Sequence, residues 1–213
     1  MTTKRAYSPR EITKMRHEPL PWDGIWQEVF GNPDINDTWF VSGASASGKS
    51  SFVMQLAKKL CEYGGVLYVS IEEKLSMSFQ QRIGRYHMEE VQSRFRVTTD
   101  GDMETLRQRL RKRKSPKFII LDSFQFLQNS YEWTYSDVAR LVDEFPRKCF
   151  IFISQEVKSE PLGKAAVRIK YLAGVKVRVV GYRAMCQGRF IGEAGATFPV
   201  WEDGIIQTSN NMD

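Results

Sequence analysis

The sequence predicts an α/β fold, with a mostly parallel central sheet flanked by helices and antiparallel strands toward its C-terminal end. Three observations predict it. Strand-like and helix-like segments alternate from residue 38 onward. Two of the strands, 118–121 and 150–153, are continuous apolar runs, as strands buried on both faces are. Residues 175–179 instead alternate apolar and charged side chains, the pattern of a strand with one wet face.

Residues 1–37 read as an N-terminal arm and a short helix, and residues 38–213 as the core. Pro9, Pro19 and Pro21 break the first twenty residues, where charges dominate. Trp22, Ile25, Trp26, Val29 and Phe30 then share one helical face, and Gly31, Asn32 and Pro33 end it. Residues 38–42 read as the first strand. Residues 49–63 form a helix with Phe52, Val53, Leu56 and Leu60 on one stripe, stopped by Gly64 and Gly65. Strands are expected at 66–71, 95–97, 117–121 and 149–154, and helices at 76–87, 102–114 and 136–145. A further helix is expected over 163–172. Strands at 175–179 and 182–187 close the pattern.

Composition bounds the function. The chain has 213 residues, 42% hydrophobic and 26% charged, which excludes disordered and fibrous classes. A net charge of +6 permits a polyanionic partner without requiring one. Cys61, Cys149 and Cys186 are scattered and form no CxxC pair, which argues against a disulfide framework or zinc site and fits a reducing cytoplasm. No apolar run approaches the ~18 residues of a spanning helix, and residues 1–16 lack the apolar stretch of a secretory signal. No membrane partner is expected.

The strongest motif is Gly43-Ala44-Ser45-Ala46-Ser47-Gly48-Lys49-Ser50, which fits G-x-x-x-x-G-K-[ST] and is followed by Ser51. A chance match in a chain of this length has a probability of about 1%. It follows a predicted strand and opens a predicted helix, as a phosphate-cradling loop must. Backbone N–H groups from the turn and the helix N-terminus point at phosphate oxygens. Lys49 supplies a point charge for the β- and γ-phosphates, and Ser50 a hydroxyl for Mg²⁺. The motif predicts ATP with Mg²⁺ as cofactors.

Three strand ends supply the remaining chemistry, because ligands of open α/β sheets bind at the carboxyl edge. Asp122 ends an apolar strand and suits the magnesium shell. Glu72 ends the second strand, where a carboxylate can deprotonate the attacking water; Glu73 is its rival. Gln155 ends the strand over 149–154, where an amide can bond the γ-phosphate. Together these motifs resemble the RecA-like P-loop ATPases over residues 38–192. The likeness is to RadA-type recombination proteins, DnaB-type helicases and KaiC, and Arg82 also fits the helicase pattern. The bare core is similar to core-only ATPases of phages and mobile elements, which are linked to recombination or strand annealing. The resemblance implies that Glu72 is the catalytic glutamate and Gln155 the γ-phosphate sensor. It also implies a homo-oligomeric ring or filament in which a late-strand Lys-x-Arg element completes the neighbour's site. Here that stretch is Gln187-Gly188-Arg189-Phe190. Arg189 is the candidate finger and Arg183 its rival, while Gln187 replaces the lysine.

The resemblance places two loops, residues 125–135 and 156 to about 168, toward a DNA channel. One carries Tyr131 and Trp133, the other Lys158, Lys164 and Arg168. Aromatics with cations suit single-stranded DNA. Residues 107–117 form the densest basic run, read either as a solvated helix face or as a phosphate-binding patch. The expected function is Mg-ATP hydrolysis acting on single-stranded DNA in recombination, annealing or replication. The alternative is a KaiC-like switch acting on a protein partner. A small-molecule kinase is disfavoured by the strand-end carboxylate and glutamine.

Overall fold

The computed structural model describes residues 5–189 and 192–210, the side chains of 207–210 excepted. Its sheet has the order β3-β2-β4-β5-β1-β7-β8-β9, with β6 paired to β5. The strands are β1 (Trp39–Gly43), β2 (Val66–Ser70), β3 (Phe95–Thr98), β4 (Phe118–Asp122), β5 (Cys149–Val157), β6 (Glu160–Pro161), β7 (Val175–Val180), β8 (Arg183–Gly188) and β9 (Phe198–Pro199). Pairing is parallel from β3 through β7 and antiparallel from β7 to β9. The fold class read from the apolar runs and the late alternation is therefore the observed one.

Period-two geometry sorts the strand residues onto two faces. Val41, Tyr68, Ile120, Ile151 and Val177 join one buried cluster. Phe40, Leu67, Ile119, Phe150 and Phe152 join the other. The first face is covered by α2 (Gly24–Phe30), α3 (Lys49–Leu60) and α4 (Met77–Arg85). The second is covered by α5 (Met103–Arg111), α6 (Phe124–Tyr131), α7 (Tyr135–Glu144) and α8 (Lys164–Leu172). Two further helices, α1 (Pro9–Ile12) and α9 (Glu202–Asn210), lie near the ends. No helix among the described residues is long and apolar enough to cross a membrane.

The structure departs from the expected elements in four places. Leu20, Trp22, Val29 and Phe30 are buried in the same cluster as Val41 and Phe52, so packing continues across the boundary expected at residue 38. The basic helix ends at Arg111 and Lys112 is extended, so residues 112–117 leave the helix. The segment expected as a loop over 125–135 begins as α6, because Phe124 and Leu127, three residues apart, both reach the core. Residues 156–162, expected as part of a loop, instead extend β5 and pair it through a tight turn with β6, while the helix expected over 163–172 is observed as α8. Lys158 and Ser159 carry that turn with φ of 51° and 67°, the positive pair of a two-residue hairpin.

Candidate nucleotide site

β1 delivers the chain to the carboxyl edge of the sheet, and α3 begins six residues later at Lys49. Between them, residues 44–48 form the loop, and Gly48 sits at φ 99°, a conformation glycine adopts without steric cost. At Gly43 the need is for space. A Cβ there would stand 2.3 Å from the Val179 carbonyl oxygen. The loop is roofed by the β7–β8 turn, where Tyr182 N–H donates to the Ser47 carbonyl.

A cleft of about 630 Å³ opens over the loop, lined by Ser45 to Ser51 together with Glu72, Glu73, Arg82, Asp122 and Gln155. The structure thus brings the sequence-expected residues of β1, β2, β4 and β5 into one space. The Lys49 ammonium donates to the Ala44 carbonyl at 2.6 Å. Burial holds its pKa below the usual lysine range, against the opposing pull of Glu72, Asp122 and Glu156.

Asp122 is 6% exposed. Its one described hydrogen-bond donor is the Tyr68 hydroxyl, at 2.5 Å. Burial raises its pKa to about 6, with the Tyr68 bond pulling the other way and Glu72 and Glu73 adding to the rise. A buried carboxylate so disfavoured suits a hard cation. Among the described residues no three metal-ligating side chains cluster, but Mg²⁺ needs only one or two protein oxygens beside substrate phosphates. Asp122 and Ser50 meet that requirement. The hydroxyl of Ser47, in the loop that lines the cleft, is also buried without a partner among the described residues, as a group facing a phosphate would be.

The two glutamates separate by their partners. Glu73 receives both guanidinium nitrogens of Arg82, at 2.8 and 2.9 Å. Burial opposes the charge on Arg82, but the Glu73 bond and charge together raise its pKa. Glu72 instead accepts a hydrogen bond from the Gln155 amide at 3.1 Å. The backbone of Gln155 is held in turn by Gln125, whose side-chain oxygen accepts from Gln155 N–H. The Gln125 amide nitrogen donates to Ser154 Oγ and the Leu162 carbonyl. β4 has already turned away into α6 at this level, so the amide of Gln125 stands in for a neighbouring strand.

Sequence reading missed several groups here. Tyr68 and Gln125 belong to no motif, and only the folded sheet brings them to Asp122 and Gln155. Glu156, within the segment expected as a loop, is buried and accepts from Ser42 Oγ at 2.8 Å and Arg178 Nε at 3.0 Å. Tyr182 and Trp201 line the cleft in T-shaped contact, ring centroids 5.0 Å apart.

Other expected residues lie elsewhere. Arg189 follows β8 at the amino edge of the sheet, its N–H bonded to the Gly174 carbonyl. It does not reach the cleft of its own subunit. Phe190 of the same stretch lies outside the described residues. Arg183 begins β8 at the carboxyl edge, 3.5 Å from Thr197 Oγ1, and is not among the cleft residues. Trp133 requires a correction: it is 2% exposed and its indole N–H donates to the Gly101 carbonyl, so it offers no face to a nucleic-acid base. Tyr131 is 36% exposed. Lys158 and Lys164 are exposed. The Arg168 guanidinium stacks over Tyr135 at 3.8 Å.

Residues 35–149 match a family model described as an AAA domain. The chain belongs to this family. This AAA domain protein is also 29% identical over 89 residues to the DNA repair protein RadA of Streptococcus pneumoniae, a match covering 42% of this chain and 20% of that protein. The fold is similar to that of the flagellar accessory protein FlaH from Methanocaldococcus jannaschii. The TM-score is 0.62 at 16% identity, covering 85% of this chain and 93% of that one. The family model and the RadA likeness agree on the RecA-like P-loop ATPase superfamily, and the FlaH likeness shows the same fold.

Proposed function

We propose that the chain hydrolyses Mg-ATP at the carboxyl edge of its sheet and works as an oligomer on DNA. The observation that carries the hydrolytic reading is the Gln155–Glu72 hydrogen bond at the lip of the P-loop cleft. Lys49 would hold the β- and γ-phosphate oxygens, and Ser50 and Asp122 would hold Mg²⁺, which would supply charge neutralisation at the phosphates. Glu72 takes a proton from the attacking water. Gln155 orients Glu72 and offers its amide toward the γ-phosphate. Glu73 is committed to Arg82 and serves to fix α4 against β2. The finger from a neighbour is Arg189.

Glu72→Gln should lower turnover by about 10²–10⁴-fold, the usual worth of a positioned base, with Mg-ATP affinity retained. Steady-state turnover and calorimetry check this. If Glu73→Gln gives that loss and Glu72→Gln does not, the base assignment is off by one residue.

DNA as partner is supported by the net positive charge and by likeness to a protein named for DNA repair. A second reading, an ATP-dependent switch acting on a protein partner, is favoured by the burial of Trp133 and the engagement of Arg168 with Tyr135. Of the five residues expected to meet DNA, Trp133 is withdrawn into the core and Arg168 is engaged by Tyr135. ATP turnover measured with and without DNA separates the two.

A further inference from the structure

The basic run over 107–117 is split by the fold into two sets. Arg107 and Arg111 turn toward α7 and pair with Glu144, Arg111 also with Glu104. Arg109, Lys112 and Lys114 face the other way, into a cleft of about 360 Å³ at the amino edge of the sheet. There they meet Arg94 and Arg96 from the segment entering β3. The remaining lining is neutral: Ser93, Ser115, Pro116 and the start of β2. All five cations are exposed, and none joins an ion pair with a described carboxylate. Arg94 donates only to the carbonyls of Cys61 and Glu62, and Arg96 to those of Gln92 and Phe95.

One or two cations at the end of α5 would complement the helix dipole. Five from two separate segments exceed that need, and such a cluster attracts an anion carrying several charges, most strongly at low salt. The field continues along the same edge. Lys148 bonds Ser115 and Pro116 beside the cleft. Its pKa is lowered first by burial and then by the charges of Lys117 and Arg147.

We propose that this amino-edge cleft binds the sugar–phosphate backbone of duplex DNA, on the edge of the sheet opposite the nucleotide. The inference rests on the DNA reading above and relocates its contact surface. No aromatic side chain lines the cleft, so it has nothing on which an unstacked base could lie, whereas proteins that hold single strands combine a basic groove with such stacking. A duplex presents its phosphates outward and is bound through charge without base readout.

The test measures binding of a fluorescent mixed-sequence duplex and its single strand across a salt titration, using the full chain and two charge-reversal pairs. Lys112→Glu with Lys114→Glu alters the amino edge. Lys158→Glu with Lys164→Glu alters the carboxyl edge. The expected result is a tenfold or greater loss of duplex affinity for the first pair at low salt. Its slope of log affinity against log salt should be shallower by about 1.8, or 0.9 for each phosphate that is no longer neutralised. The second pair should bind as the parent does. Thermal unfolding of each variant guards against misfolding, and the milder Lys112→Gln with Lys114→Gln should then give a smaller loss in the same direction. If the parent binds DNA and the amino-edge pair binds equally well, the cleft assignment fails while the DNA reading stands. If the parent hydrolyses ATP but binds neither duplex nor single strand, both fall. Binding of polyglutamate in place of DNA would assign the cleft to an acidic protein segment and overturn the proposal.

Discussion

The two edges of the central sheet handle charge in opposite ways. At the carboxyl edge each acidic group is matched from within the chain. Glu73 faces Arg82, Glu72 faces the Gln155 amide, Asp122 takes the Tyr68 hydroxyl, and Glu156 sits between Ser42 and Arg178. At the amino edge Arg94, Arg96, Arg109, Lys112 and Lys114 share a cleft with no carboxylate lining it. On the proposed reading the first is a preorganised reaction site, in which fixed partners hold each group where charge will develop. The second is balanced only from outside the molecule. The parallel strands between them put a full strand length between nucleotide chemistry and charge-driven binding, so each can be disturbed without the other.

The largest effect comes from breaking the carboxyl edge alone. Lys49→Ala removes the ammonium inside the P-loop, and Arg82 cannot replace it while paired with Glu73. Loss of a single phosphate-directed donor costs about 10²–10³-fold in turnover, and Mg-ATP affinity should fall as well. Calorimetry and turnover measure both. Duplex affinity without nucleotide should be unchanged. A parallel loss of DNA binding would mean that the two edges are not independent.

Next is the stability cost of the reaction site itself. Asp122 ionises near pH 6 in the fold and at 3.8 as an ordinary aspartate. The folded state therefore keeps a proton that the unfolded chain has already lost. Stability falls as pH rises through that window and stays lower above it. The displacement corresponds to about 3 kcal/mol. Asp122→Asn keeps an acceptor for Tyr68 and removes the buried charge. It should raise the unfolding midpoint by several degrees near pH 7, where about 1 kcal/mol moves a chain of this size by ~2–4 °C. The gain should vanish below about pH 4. Calorimetric scans across pH check this, and equal midpoints for both proteins near neutral pH would show that the carboxylate is already compensated.

How much of this was legible in the sequence follows from the same contrast. The P-loop is eight consecutive residues, and Asp122, Glu72 and Gln155 each end an apolar run, so linear pattern was enough to assign them to one edge. Tyr68, Gln125 and Glu156 reach the site only through strand register and the turn of β4 into α6, which no local pattern encodes. The run over 107–117 was visible as charge. That it divides into paired and unpaired halves depends on where Glu104 and Glu144 fall and on the helix stopping at Arg111. The error at Trp133 has the opposite origin. It was read as a loop aromatic, but a large apolar ring beside a helix is drawn into the core, and its indole N–H found a buried carbonyl.

Arg189 tests whether the two edges meet between subunits, and here the expected effect is smallest. In one chain it stands at the amino edge beside Asp37, whose pKa burial raises and the Arg189 charge partly restores. The P-loop lies at the far end of the same β1 strand. Arg189 can enter a nucleotide site only if the amino edge of one copy approaches the carboxyl edge of the next, which is a head-to-tail contact of the kind that builds rings or filaments. Turnover per subunit should then rise with protein concentration, and Arg189→Ala should flatten that rise. A finger supplied in trans is worth about 10³–10⁵-fold where it is complete. With Gln187 in place of a second cation, a loss of about tenfold is expected, from the same principle at reduced charge. Arg183→Ala should leave the concentration dependence intact, because Arg183 begins β8 at the opposite end, against Pro199. If turnover is independent of concentration and Arg189→Ala is silent, each chain completes its own site and the edges never meet.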